Sequence, residues 1–175
     1  VRTAINTATN WNIQDVTLYS IPPVCTIAIS SPLSASATGT NVSCNGSANG
    51  RASVSATGGT PGYSYSWAPS GGTAALATGL APGIYTVTVT DAASASVSAT
   101  VMITQPPALI ATTGFTNTSC NGLSNGRASV SASGGTSPYT YSWAPSGGTA
   151  ALATGLAANN YTCTITDNNS CTRTV

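Results

Sequence analysis

The side chains able to do ionic or acid–base chemistry are few: Arg2, Arg51, Arg127 and Arg173, and Asp15, Asp91 and Asp167, joined by five cysteines and seven tyrosines. Histidine, lysine and glutamate do not occur in the chain. General acid–base catalysis calls for a histidine or for neighbouring carboxylates whose surroundings push their pKa values apart. Three aspartates placed singly along 175 residues do not supply such a set, so the expectation is a protein that is not an enzyme. No cofactor and no metal are expected either. The cysteines lack the close Cys/His spacing of a zinc site, and a calcium site takes about six to eight oxygen ligands. What remains for the cysteines is disulfide chemistry in an oxidising compartment.

The rest of the composition narrows the function further. Charged residues make up 4% of the chain, against roughly 25% in an ordinary soluble domain. A formal net charge of +1 offers no basic field for a phosphate backbone, which argues against nucleic acid as a partner. No apolar run approaches the roughly 20 residues of a membrane span, and there is no basic amphipathic helix, so membrane insertion is not expected. A near-neutral surface rich in serine and threonine protects a free monomer poorly against self-association. Assembly with other copies, or a coat of sugar, would resolve that.

The elements that position these residues come in two copies. Asn41–Gly46 recurs as Asn117–Gly122, and Arg51, Trp67, Leu80 and Asp91 recur as Arg127, Trp143, Leu156 and Asp167, each pair 76 residues apart. Between 41–91 and 117–167 about three quarters of positions are identical, which marks them as recent copies of one unit. Apolar residues alternate with serine and threonine in Arg51–Thr57, Tyr63–Trp67, Ile84–Asp91 and Ala95–Thr104, and more weakly in Thr73–Thr78; period two predicts strands with one buried face. Asn-Gly, Gly-Gly-Thr-Pro-Gly and Pro-Ser-Gly-Gly between them supply tight turns. Short, evenly spaced strands without helical periodicity predict an all-β chain of two tandem sandwiches. The first is expected over 35–106 and the second over 107–175, joined at Thr104-Gln105-Pro106-Pro107, where two prolines make the junction short and stiff.

Residues 1–34 fall outside this scheme. The stretch Val24–Ser30 loosely echoes the last strand of the repeat, so 1–34 is expected to be the tail of a preceding repeat or a donor strand, with Val24, Thr26, Ile27 and Ile29 as its strand residues. At the other end, the counterpart of Thr104 would lie five residues past Val175. The second sandwich is therefore expected to lack most of its closing strand.

The ordered strings Cys-Asn-Gly-x-x-Asn-Gly-Arg-Ala-Ser-Val, Gly-Gly-Thr-x-x-Tyr-x-Tyr-Ser-Trp, Thr-Gly-Leu-Ala, Tyr-Thr-x-Thr-x-Thr-Asp and Ile-Thr-Gln-Pro resemble the SprB-type repeat of very large surface adhesins of gliding Bacteroidota. The likeness spans about residues 35–175. It implies an immunoglobulin-like, exported module strung in tandem on the bacterial cell surface, with a structural and adhesive role and no catalytic residues. Repeats of this kind usually carry a second cysteine after the Thr-Asp turn, which is matched here by Cys171 and replaced in the first copy by Ala95. The resemblance thus pairs Cys120 with Cys171 and leaves Cys44 without its partner; the alternative is that one or both are reduced. Cys25 and Cys44 are left to pair within the chain or with neighbouring subunits. Cys163 shares a strand face with Tyr161 and Ile165 and reads as a buried thiol.

Tyr65 and Trp67, with Tyr141 and Trp143, share one strand face in each repeat. A sandwich core is the favoured reading, and an exposed platform for surface polysaccharide is its rival. Arg51 with Asp91, and Arg127 with Asp167, are candidate ion pairs, each weighed against an aspartate that caps the turn after its strand. Asn41, Asn45, Asn117 and Asn168 head Asn-x-Ser/Thr triplets. These readings converge on a subunit or segment of an extracellular adhesive fibre, with other copies of itself or adjacent repeats as partners.

Overall fold

A computed structural model of the protein describes residues 31–175. Twelve strands alternate with turns, and none of the described residues is helical. The first unit contains β1 (Ser34–Thr40), β2 (Gly50–Thr57), β3 (Ser64–Ala68), β4 (Leu76–Leu80), β5 (Gly83–Thr90) and β6 (Ser96–Ile103). The second repeats the order with β7 (Ile110–Thr116), β8 (Gly126–Ser133), β9 (Thr140–Ala144), β10 (Leu152–Leu156), β11 (Thr162–Thr166) and β12 (Thr172–Thr174).

Each unit is a pair of three-stranded antiparallel sheets. In the first, β1-β2-β4 faces β3-β5-β6; in the second, β7-β8-β10 faces β9-β11-β12. This is the A-B-E and C-F-G arrangement of the immunoglobulin fold without its D strand. Two further hallmarks agree. The C-type strand of each unit, β3 or β9, carries a buried tryptophan, Trp67 or Trp143. At the start of the fifth strand Tyr85 donates from its hydroxyl to the carbonyl of Ala81 (3.0 Å), and Tyr161 donates likewise to Ala157 (3.2 Å), the backward hydrogen bond of a tyrosine corner. The protein is therefore a tandem of immunoglobulin-like β-sandwiches.

Alternation explains the core. In β5 the odd-numbered residues Tyr85, Val87 and Val89 point inward and are buried, while Thr86, Thr88 and Thr90 face outward. They meet Ala52, Trp67, Ala77, Leu80 and Ile103 from the other strands. The second core repeats this with Cys163 and Ile165 in the places of Val87 and Val89, both fully buried. Complete burial of an aliphatic side chain of this size stabilises by about 1.5–3 kcal/mol, so a few such residues decide whether so small a unit folds. Buried indoles need a partner for their N–H: Trp67 and Trp143 donate from Nε1 to the carbonyls of Ala74 and Ala150, each at 2.9 Å.

Two elements differ from expectation. Strand β1 lies in a stretch, Ser-Ala-Ser-Ala-Thr-Gly-Thr, whose small residues and glycine give little strand signal, and β7, Ile-Ala-Thr-Thr-Gly-Phe-Thr, has strand-forming residues without a regular apolar alternation. Residues 31–33, assigned by sequence to the N-terminal extension, are part of the first sandwich: the carbonyl of Ser31 accepts from Gly59 N–H at 2.7 Å and Leu33 packs on the core. Pro107 and Leu109 occupy the same places in the second unit.

Candidate assembly site

The two aspartates are held by backbone. Asp91 lies just past β5, where its Oδ1 accepts from the N–H of Ala93 (2.9 Å) and Ala95 (2.8 Å) and its Oδ2 from Thr60 N–H (2.8 Å). Asp167 repeats this with Asn169 (2.9 Å), Cys171 (2.8 Å) and Thr136 (2.9 Å). The bond from Thr60, with those from Ala95 and Ala93, holds the Asp91 carboxyl below its ordinary value against the effect of burial. At Asp167 burial is the largest influence and raises the pKa, but the three N–H donors together outweigh it, and the net direction is again downward. Each carboxylate thus ties the β5–β6 or β11–β12 turn to the turn leaving β2 or β8. A glycine is required on the facing turn, since a Cβ at Gly59 would fall 2.5 Å from Asp91 Oδ2, and one at Gly135 2.6 Å from Asp167 Oδ2.

This geometry replaces the expected ion pairs. Arg51 stands at the opposite end of β2 from the Gly58–Thr60 turn that meets Asp91, and at about 3.3 Å per residue that is most of the sandwich length. Arg127 and Asp167 are separated in the same way along β8. The capping role of the aspartates leaves Arg51 and Arg127 exposed to solvent.

The same end-to-end separation governs the cysteines. Cys44 and Cys120 follow β1 and β7, at the exit end of each sandwich, whereas Cys171 follows the Asp167 turn at the entry end. Cys120 therefore does not reach Cys171. The disulfide instead joins Cys44 of the first unit to Cys171 of the second, with Cα atoms 5.7 Å apart and a sequence separation of 127. In the chain-entropy description, closing so long a loop is worth about 5 kcal/mol. Cys120 is a free exposed thiol and Cys163 a free buried one, and burial raises the Cys163 pKa. Cys25 and the donor-strand residues Val24, Thr26, Ile27 and Ile29 lie outside the described residues.

Polar contacts reinforce the joint around the disulfide. Asn45 Nδ2 donates to the carbonyl of Pro106 (3.0 Å) and Gly46 N–H to Gln105 Oε1 (2.8 Å), which clamps the linker onto the first unit. From the second unit, Asn169 Nδ2 donates to the Ser43 carbonyl (2.9 Å). The joint is thus a docked interface in which two sandwiches follow one another head to tail.

The two units differ at their closing strands. In the first unit β6 runs eight residues beside β5, from Thr90↔Ser96 to Gly83↔Ile103, and the chain then closes over the core with Val42 N–H donating to Thr104 O (3.1 Å) and Thr104 N–H to Asn41 Oδ1 (2.8 Å). Ile103 is buried against Gly39 and Gly50, where added Cβ atoms would lie 2.8 and 2.7 Å from its side chain. In the second unit β12 pairs with Thr164, Ile165 and Thr166 of β11, and Val175 and Cys163 exchange both backbone hydrogen bonds (2.8 and 3.1 Å). Beside it opens a groove of about 530 Å³, lined by Phe115, Arg127, Trp143, Leu156, Tyr161 and Val175 among others. Phe115 stands at the place of Gly39 and is 79% exposed.

The predicted aromatic face is interior: Trp67 and Trp143 are buried, and Tyr65 and Tyr141 half-buried against the cores. Among the described residues no group of three His, Cys, Asp or Glu side chains is placed to hold a metal.

Residues 36–72 and 112–149 each match the family model of the SprB repeat. Two stretches of the chain are thus similar to this repeat. The matched segments run from β1 or β7 past the buried tryptophan, so the likeness covers the first half of each sandwich, and β4–β6 or β10–β12 complete it. No curated protein matches the chain. Among solved structures, one described as the structural basis for Dscam isoform specificity is similar over 71% of this chain, at 14% identity and a TM-score of 0.31. This chain spans 39% of that one.

Proposed function

We propose that the protein is a structural subunit or segment of an extracellular adhesive fibre on a bacterial surface, built head to tail from SprB-type sandwiches, with a strand of one copy added to the second unit of another. The observation that carries this reading is the docked joint, in which two sandwiches follow one another head to tail through the Cys44–Cys171 disulfide and the hydrogen bonds beside it. Strand addition satisfies an open edge with main-chain hydrogen bonds and apolar side chains, and a head-to-tail contact of this kind does not close on itself. The donor is Val24–Ser30. The 76-residue offset relates Ser31 to Pro107 and Leu33 to Leu109, and carried upstream it sets Ile27 against Ile103, the residue that fills the equivalent space in the first unit. The SprB match and the joint disulfide support a surface setting.

Electron microscopy of the full chain under non-reducing conditions tests this. Ordered fibres whose axial repeat equals one chain, lost in Ile27→Asp while the monomer keeps its β-sheet circular dichroism, are expected. Single beaded strings unaffected by Ile27→Asp would refute strand donation and leave the units as links of one long polypeptide. Binding of polysaccharide on an aromatic platform finds no support in the interior placement of Trp67 and Trp143.

A further inference from the structure

Cys120 occupies, in the second unit, the position from which Cys44 bridges to the following sandwich. The loops that carry them share their internal bonds. Ser43 N–H donates to Asn49 Oδ1 (3.0 Å) and Asn49 Nδ2 to Ser43 Oγ (2.7 Å); Ser119 and Asn125 repeat the pair at 3.1 and 2.8 Å. Ser47 N–H donates to Cys44 O and Leu123 N–H to Cys120 O, and Gly46 and Gly122 both hold positive φ, 78° and 82°. The groups that grip the linker at the first joint are duplicated as well, since Asn121 and Gly122 stand where Asn45 and Gly46 hold Pro106 and Gln105. The second unit thus presents the complete outgoing half of the joint, with its thiol free and exposed.

We infer that Cys120 is the outgoing half of a covalent joint to whichever sandwich follows the second unit. Its partner is a repeat with a cysteine four residues after the turn aspartate, as Cys171 follows Asp167. The first unit of this chain has Ala95 at that position, so a following copy of it docks without a bridge. The incoming residue therefore determines which joints in a fibre are permanent and which reversible. The bond forms by thiol–disulfide exchange: the Cys120 thiolate attacks a small disulfide oxidant such as oxidised glutathione and expels one thiolate. The partner's thiolate then attacks the Cys120 sulfur and expels the second. Two protein thiols are oxidised and one disulfide is reduced, with both protons leaving to solvent.

Two extended chains test this without relying on strand exchange between copies. In the first, residues 100–175 are appended after Val175, which continues the closing strand of the second unit and adds a third sandwich with its own copy of Cys171. In the second, residues 24–99 are appended, so that alanine stands at the incoming position. After oxidation with glutathione, peptide mapping is expected to find Cys120 bonded to the appended cysteine in the first chain, with loss of its labelling by N-ethylmaleimide. In the second chain Cys120 is expected to stay as reactive as in the parent, and Ala95→Cys within the appended segment to restore the bridge. Should Cys120 stay reactive in the first chain and in the Ala95→Cys version of the second, while Cys44–Cys171 forms in either, the inference is overturned. The first chain and the Ala95→Cys chain test it independently, so a folding failure in one leaves the other to decide.

Discussion

The two units differ mainly where the closing strand is long or short, and the residues facing that strand record the difference. Val87 and Val89 and their counterparts Cys163 and Ile165 are equally buried, because β3 pairs along β5 in the first unit as β9 pairs along β11 in the second. On the other flank Tyr85 and Ala52 are buried whereas Tyr161 and Ala128 are only half-buried, and Trp143 is more exposed than Trp67. Thr100–Ile103 thus seal one flank of the first core. The lesson is that the inner residues of β5 and β11 are held by the neighbour on one side, while the closing strand adds the seal on the other.

The largest test of this comparison concerns the joint. Cys44→Ser or Cys171→Ser is expected to cost up to about 5 kcal/mol in guanidinium unfolding under oxidising conditions, whereas Cys120→Ser leaves the same measurement unchanged. Next is the seal itself. Ile103→Ala is expected to destabilise the first unit by about 2–5 kcal/mol and to open there the groove now seen in the second, read as lower denaturant midpoint and new dye binding. The aspartate clamps should respond alike in both units. A carboxyl whose folded pKa lies below its unfolded value near about 3.9 contributes stability that is fully present above that value and is lost as pH falls through the lowered folded pKa. Melting temperatures should therefore hold from neutral pH to about pH 5 and drop below about pH 4, and the drop should shrink in the Asp91→Asn, Asp167→Asn double variant. The smallest effect on stability is expected from Phe115→Ser, under about 0.5 kcal/mol for an exposed side chain, although fibre formation should weaken.

Much of the fold was legible because alternation is a local signal. Tyr63–Trp67 and Ile84–Asp91 lie within a residue of β3 and β5, and the glycine-rich turns fell between strands as expected. Strand β1 was not legible: alanine and serine alternate in it, and neither is bulky enough to announce a buried face. The disulfide failed for a topological reason. Simple up-and-down counting puts the loops after β7 and β11 at the same end, four strands apart. However, β9 and β10 run in the same direction in different sheets, and the segment Pro145–Ala151 carries the chain back between them. That one return moves Cys171 to the far end, out of reach of Cys120 and beside Cys44. The Arg–Asp pairs failed for the same cause, since matching positions in sequence say nothing of which end of a strand they occupy.

The bond between Cys44 and Cys171 also sets how the tandem responds to pulling. Tension entering before Cys44 and leaving after Cys171 runs through the sulfur bridge, and the stretch between them, a sequence separation of 127, carries none of it. At about 3.5 Å per extended residue, on the order of 440 Å of slack stays locked away, so an oxidised tandem behaves as a short, nearly inextensible link. Reduction would convert the same link into one that yields sandwich by sandwich.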